Sequence, residues 1–245
     1  RNFWDGRANN MFNGIDPLGR RSNLNNSDQG IWINDEVSLR KEQVLIKNSS
    51  LASQAVGPAL SANEMACEGR IFPLLAEKML GRYALDLQTV HAQDSVLGGM
   101  KSLSSSRGLK YKYIDTIQQA FHSKYWNAGV VEDGFDQIEM NFSLFWGLAI
   151  QMYESTLVSD MTPFDQFARG GSDPVSLAAA NAALNEQEKL GLEVFVREDR
   201  GHCASCHTGS EFTSASVSIR AGGVFDPDLG PAGGIAPPEP FERMR

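Results

Sequence analysis

The stretch Cys203-Ala204-Ser205-Cys206-His207 decides how this chain is read. Two thiols three positions apart and an adjoining imidazole suit one chemical task. The thiols add to the two vinyl groups of a haem as thioethers, and the following His turns under the ring to bind the iron. Competing readings need more than the stretch offers. A thioredoxin-like pair opens a helix in a βαβ unit, whereas this motif follows a helical pattern and a Glu198-Asp199-Arg200-Gly201 loop. A zinc site needs four ligands; the motif supplies three, so Cys67 or His202 would have to be recruited. The sequence therefore assigns a covalent haem c to Cys203, Cys206 and His207, with His207 as the axial iron ligand. Thioether attachment belongs to oxidising compartments outside the cytoplasm, so a periplasmic or otherwise extracytoplasmic location is expected.

Upstream of the motif, Asn185-Glu186-Gln187-Glu188 has the form of a capping box, in which Asn185 caps the helix and Glu188 reaches back to it. The helix carries Leu190, Leu192, Val194 and Phe195 and ends near Arg197; small Gly191 is expected to let a second helix pack close. Ser159 to Pro163 and Gly170 to Pro174 are two chain breaks that read as a domain junction. Before them, Asn141 is expected to cap a long, central helix reaching about Val158, because its first turns are apolar almost all round. Helical spacing also appears over Glu68–Leu80, with Pro73 in the first turn and Gly81 as the stop, and over Tyr113–Trp126. Residues 1–50 are dense in Asn, Gly, Asp and Ser and read as irregular, with a short strand at Gln43–Ile46. The Gly- and Pro-rich tail from Gly222 to Pro240 reads the same way.

The 245 residues suffice for one large domain or two modest ones. A net charge of −8 argues against nucleic acid, which would favour a basic stripe, and permits a basic partner steered by long-range attraction. The longest apolar stretch, Phe142 to Ile150, is far short of the roughly 20 residues that span a bilayer. The chain opens at Arg1-Asn2-Phe3-Trp4 without Met or a signal peptide, so it is expected to begin downstream of its natural start, and its ending at Arg245 reads as a truncation.

Four blocks, in order, resemble bacterial di-haem cytochrome c peroxidases and the related MauG-like enzymes. They are Phe3-Trp4-Asp5-Gly6-Arg7; Ser50 to Pro58 with Asn63-Glu64-Met65; Ala149-Ile150 through Tyr153 to Pro163-Phe164-Asp165; and Gly191 to Phe195 running into the haem motif. About fifty residues between Trp4 and Gln54 fit the long, insert-bearing branch of that family. The resemblance implies a mainly α chain of two cytochrome c-like domains with long irregular loops and little β. Residues 1–168 would be the peroxidatic domain, lacking its N-terminal part, and 169–245 the start of the electron-transfer domain. It implies two haems, the first binding peroxide and the second feeding it electrons; the motif at 203–207 resembles the second. The first motif is expected to precede Phe3, on a segment upstream or on another chain.

The resemblance also assigns roles. Trp4 matches the tryptophan between the haems and would relay electrons. Glu64 matches the acid–base residue over the open iron face, with Gln54 and Pro58 as its neighbours. A carboxylate whose proton affinity is raised by burial can take a proton from peroxide and return it to the leaving oxygen. From the residues alone, Asn63-Glu64 reads equally as a helix start with an acid facing the dipole. The implied function is reduction of hydrogen peroxide to water, with electrons from a small cytochrome c or cupredoxin; a calcium ion and a homodimer are compatible with it. A MauG-like oxidase acting on a protein or organic substrate, and a non-enzymatic c-type electron-transfer subunit, are the alternatives.

The remaining chemistry-bearing residues read blandly. Cys67 is expected to be a buried free thiol. His91 and His122 read as structural hydrogen-bonders, and His202 as solvent-facing. Tyr111, Tyr113, Tyr125 and Trp126 read as core. Met244 is a weak candidate for the second axial ligand of the His207 iron, since Met raises the potential.

Overall fold

The computed structural model describes residues 3, 6–22, 30–170, 173–207 and 212. The chain is mainly α with two small two-stranded sheets, as expected. It divides into two compact units, Arg1–Leu157 and Val158–Arg245. The division falls just after the long apolar helix ends, beside the first of the two chain breaks.

In the first unit, β1 (Ile31–Asn34) and β2 (Leu39–Glu42) form an antiparallel hairpin with Ile31 opposite Glu42. Ile31 and Ile33 face the core while Trp32 and Asn34 alternate outward, the period of a half-buried strand. The strand therefore lies before the expected Gln43–Ile46, of which Ile46 alone bridges, to Phe12. The helices α1 (Ser50–Ala55), α2 (Phe72–Leu80) and α3 (Tyr113–Ala120) follow. A second hairpin, β3 (Val130–Glu132) with β4 (Phe135–Asp136), leads into α4 (Gln137–Met140) and α5 (Phe142–Glu154). Helix α2 starts four residues later than the spacing suggested, because Pro73 sits in its first turn and Cys67 to Arg70 make a turn with Gly69 at φ +76°. Helix α3 stops at Ala120, where Phe121 turns extended (φ −117°, ψ 147°) and drops its ring 4.7 Å from Phe145.

Helix α5 is the centre of this unit. Phe142, Leu144 and Phe145 are buried with Phe12, Ile31, Val56, Phe72 and Ile138. A Cβ on Gly147 would stand 2.8 Å from the Phe12 ring and 3.0 Å from the Ala52 carbonyl oxygen, so this glycine is what lets α1 lie against α5. Gln151 of α5 then accepts from the Ala52 backbone N–H (3.1 Å) and donates to the Ser49 hydroxyl (3.1 Å), serving the start of α1 from across the interface.

Asn141 does not cap α5 with its side chain. It is fully buried, accepts from the Trp32 N–H at 2.9 Å, and donates to the Trp32 and Tyr125 carbonyls at 2.7 Å each. Gln137 joins it, donating to the carbonyls of Trp32 (2.8 Å) and Lys124 (2.7 Å). These two amides tie the β1 hairpin to the segment after α3, a demand that outweighs a cap on an already buried helix start.

The second unit contains α6 (Pro163–Arg169), α7 (Pro174–Ala182) and α8 (Glu186–Val196), then a 3-10 turn at Cys203–Ser205. Each helix has its own cap. Thr162 and Asp165 exchange bonds at α6, Asp173 accepts from Val175 and Ser176 at α7, and Asn185 and Glu188 form the expected box at α8, with bonds of 2.9 and 2.7 Å. Among the described residues of this unit, Ala180 and Leu184 alone have buried apolar side chains. Gly191 is exposed, with no described residue within 4 Å of where its Cβ would stand; among the described residues a close helix contact is made at Gly147 of the first unit.

Candidate functional site

The haem motif hangs from α8 by a short, heavily bonded loop. Past Val196 the chain turns extended at Arg197, whose guanidinium forks onto Asp199 (2.8 and 2.6 Å) and reaches Glu193 at 2.9 Å. The hydrogen bond from Arg197 holds the Asp199 carboxyl below its usual range. The Gly201 N–H donates to the Val194 carbonyl at 3.1 Å, an approach a Cβ would block at 2.4 Å. His202 takes a left-handed conformation (φ 52°) and is exposed, as expected, and its N–H returns to the Arg197 carbonyl at 3.0 Å. Cys203 and Cys206 follow as free thiols, Cys203 half-buried and Cys206 exposed.

The His207 ring carries the decisive geometry. Its Nδ1 lies 3.0 Å from the carbonyl oxygen of Phe212. A carbonyl can only accept, so Nδ1 must carry the proton, and a neutral ring keeps its lone pair on Nε2. Metal-binding histidines are oriented by such a bond on the far nitrogen. Phe195 stands 6.4 Å from the imidazole and 5.8 Å from Phe212, which meets Phe164 edge-on at 4.8 Å. Two free thiols, an imidazole with Nε2 available and an aromatic wall are a donor set that fits a covalent haem. Zinc is a poorer match: among the described residues no three His, Cys, Asp or Glu side chains gather to hold a metal ion. His202 is not recruited to the motif, and no carboxylate-rich cluster for calcium is gathered among the described residues. Phe164 and Phe212 were not singled out in the sequence as partners of the motif. Their spacing of 43 and 5 residues from His207 has no periodicity to betray it.

In the first unit, Glu64 borders a cleft of about 310 Å³ with Arg7, Asp16, Gly57, Leu60 and Ser61. A chain of turns sets it there. The Gly57 N–H donates to Gln54 O (3.1 Å), Ser61 N–H to Pro58 O (3.1 Å), and Glu64 N–H to Ser61 O (3.1 Å). Gln54 and Pro58 thus shape the path to Glu64 through their carbonyls and do not line the cleft. Gly57 is placed where a Cβ would press the Phe3 ring at 3.1 Å. Two readings change here. Glu64 is exposed, so the burial expected of an acid–base carboxylate is not built by the described residues. It also lies in a turn eight residues before α2, not in a helix start.

Cys67 is exposed rather than buried, because it occupies the turn ahead of α2. His91 and His122 each accept a backbone N–H through Nδ1, from Gln93 (3.1 Å) and Lys124 (3.2 Å), and act as local caps. Tyr125 and Trp126 pack on the core of the first unit. Trp4 and Met244 lie outside the described residues, as does the tail from Gly222 to Pro240. Among the described residues no helix is long and apolar enough to cross a membrane.

Two curated proteins share a segment with this chain. The methylamine utilization protein MauG of Methylophilus methylotrophus is 31% identical over 68 residues, 28% of this chain and 18% of its own. The cytochrome c551 peroxidase of Pseudomonas aeruginosa is 40% identical over 62 residues, 25% of this chain and 14% of its own. The shared segments are thus under a fifth of either relative. No protein-family model matches the chain, and no solved structure does. The local similarity points towards the di-haem cytochrome c peroxidase group and to a haem oxidoreductase.

Proposed function

We propose that this chain belongs to an extracytoplasmic di-haem peroxidase that reduces hydrogen peroxide to water with electrons from a small c-type cytochrome. The observation that carries the reading is the donor set of Cys203, Cys206 and His207, with the Nδ1 proton of His207 held by the Phe212 carbonyl. The similarity to a cytochrome c551 peroxidase supports it. A haem bound there supplies reversible one-electron chemistry. The thiols of Cys203 and Cys206 would hold it through two thioether bonds, and His207 would bind its iron through Nε2. The bond to Phe212 fixes the tautomer of His207 and orients its ring. Phe195 stands beside the exposed His207 ring and packs on Phe212.

Glu64 is the proton carrier of the proposal. On the cleft, its carboxylate accepts the proton that leaves hydrogen peroxide and returns it to the departing oxygen as water forms. Gln54 and Pro58 position it through the chain of turns. Trp4 enters as the electron relay through its place in the Phe3-Trp4-Asp5-Gly6-Arg7 block alone. The segment shared with MauG favours a second reading, oxidation of a protein or organic substrate by the same centre.

Intact mass after denaturation, with a pyridine haemochrome spectrum, tests the frame. Two covalent haems in the native protein are expected, and Glu64→Gln should then lower peroxide turnover by about 10²- to 10⁴-fold. One haem moves the chain to an electron-transfer subunit; full turnover in the variant keeps the peroxidase and removes Glu64 as its proton carrier.

A further inference from the structure

Net charge hides a local reversal. Between Asp94 and Asp115 the chain has no carboxylate, yet it carries Lys101, Arg107, Lys110 and Lys112. These are four of 22 Lys and Arg; the other 18 face 30 Asp and Glu, a balance of −12 elsewhere. The fold gathers the four on one small module. The Ser102 N–H donates to Gly108 O (2.9 Å) and the Lys110 N–H to Met100 O (2.9 Å), closing a hairpin in which Lys101 pairs with Leu109 beside Lys110. Thr89 bridges Arg107 and Tyr83 bridges Lys112, so the basic strand is clamped on its other edge too. Ala84, Val90 and Leu109 are buried beneath it, with Leu97, Met100 and Tyr113 packed around them.

None of the four cations pairs with a carboxylate among the described residues, whereas neighbouring Arg82 pairs with Asp86 at 2.9 Å. Arg107, Lys110 and Lys112 are exposed. Lys110 donates to the Gly99 carbonyl at 3.2 Å and stands 5.2 Å from the Tyr111 ring centroid, neither of which supplies a counter-charge. At the tip stands Leu103, 96% exposed, with Leu87 and Val96 also open at 73% and 72%. Unpaired like charges on a preformed hairpin repel one another, and fully exposed apolar side chains gain nothing from water. Both costs are relieved by an acidic partner with an apolar centre, the usual anatomy of a charged docking face.

We propose that the hairpin of residues 99–112 docks the acidic face of the small c-type cytochrome that donates electrons. The donor's identity rests on the peroxidase reading above; the acidic docking chemistry does not. A small acidic protein fits better than an anionic bilayer. Four cations and one open leucine on a single hairpin suit a partner of ordinary interface size, about 800 Å² per side, while the balance of −12 on the rest of the chain is repelled by an extended anionic surface. One tip leucine also offers a bilayer little to anchor. The module thus selects an acidic donor, where net charge alone suggested a basic one.

The test uses the holoprotein and the charge-reversed variant K101E/R107E/K110E/K112E, with an acidic c-type cytochrome, a basic one, and phosphatidylglycerol vesicles as probes. Binding is read without turnover, by calorimetry on fully oxidised proteins. The parent should bind the acidic cytochrome, at least about tenfold more weakly as salt rises from about 20 to about 200 mM. The variant should lose at least about tenfold in affinity, and the neutral K101Q/R107Q/K110Q/K112Q should fall between. Peroxide turnover with a small-molecule reductant should stay unchanged in both. Equal binding by parent and variant overturns the proposal, and so does binding to the vesicles alone. A parent that binds the acidic cytochrome through these residues but consumes no peroxide keeps the docking surface and removes the peroxidase reading.

Discussion

In the first unit Phe12, Phe72, Phe142 and Phe145 disappear into one shared core; in the second, Leu190 of α8 is 61% exposed and only Ala180 and Leu184 are buried among the described residues. Both have well-formed helices, and the second has the better side-chain caps. The difference teaches that capping and propensity shape helices, while burial holds them together. The second unit also holds the Cys203–His207 motif, proposed above to bind a haem covalently. A bound haem would cover apolar faces that the described residues leave open, so attachment at this motif is expected to stabilise the second unit more than the first.

The comparison breaks most sharply at the thioethers. Cys203→Ala with Cys206→Ala should abolish the covalent haem at this motif, read by intact mass. Backbone amides of α8 should then exchange with deuterium far faster than those of α5. Equal protection in the two helices would remove the coupling. Next comes Asn141→Ala, which strips three hydrogen-bond partners inside the first unit and should cost roughly 3 kcal/mol in denaturant unfolding. The second unit's exchange should not change.

A smaller, signed pair sharpens the contrast. Gly147→Ala forces a Cβ against Phe12 and the Ala52 carbonyl, and should destabilise by about 1–3 kcal/mol. Gly191→Ala meets open space on a helix and should stabilise by up to about 1 kcal/mol. Thermal unfolding followed by circular dichroism separates the two signs; a loss at Gly191 would show that something packs on it.

The smallest effect is acid dependence. Hydrogen bonds from Thr162 hold Asp165 below its usual range, and those from Ser176 do the same for Asp173. Their folded affinity for protons is lower than the unfolded value near 3.8, so each contributes stability above that pH and loses it as pH falls through the folded value. Helical signal should therefore fall below about pH 4 in the second unit first, since Asp35 and Asp94 shift the same way in the first unit but sit on loops outside its core. Asp165→Asn and Asp173→Asn should flatten that acid limb.

Some of this was legible without a fold. The Asn185–Glu188 box reads correctly because capping is decided within four residues. The buried first turns of α5 read correctly because continuous apolarity leaves them no surface to occupy. Asn141 misreads because its partners, Trp32 and Tyr125, lie 109 and 16 residues away. Asn63-Glu64 opens no helix and Cys67 is not buried, because α2 begins only at Phe72, displaced by one proline and one positive-φ glycine.

By itself, then, the sequence determined the haem-binding donor set, the mainly helical class and the helix caps, all properties of residues close along the chain. Tertiary structure alone decided which glycine carries the close helix contact, which carbonyl orients His207, where Glu64 stands and how four scattered cations meet on one hairpin. The physical reason is range. Thiol spacing, capping and hydrophobic period act over a few residues, whereas packing and hydrogen bonds to distant carbonyls depend on which surfaces the fold brings together.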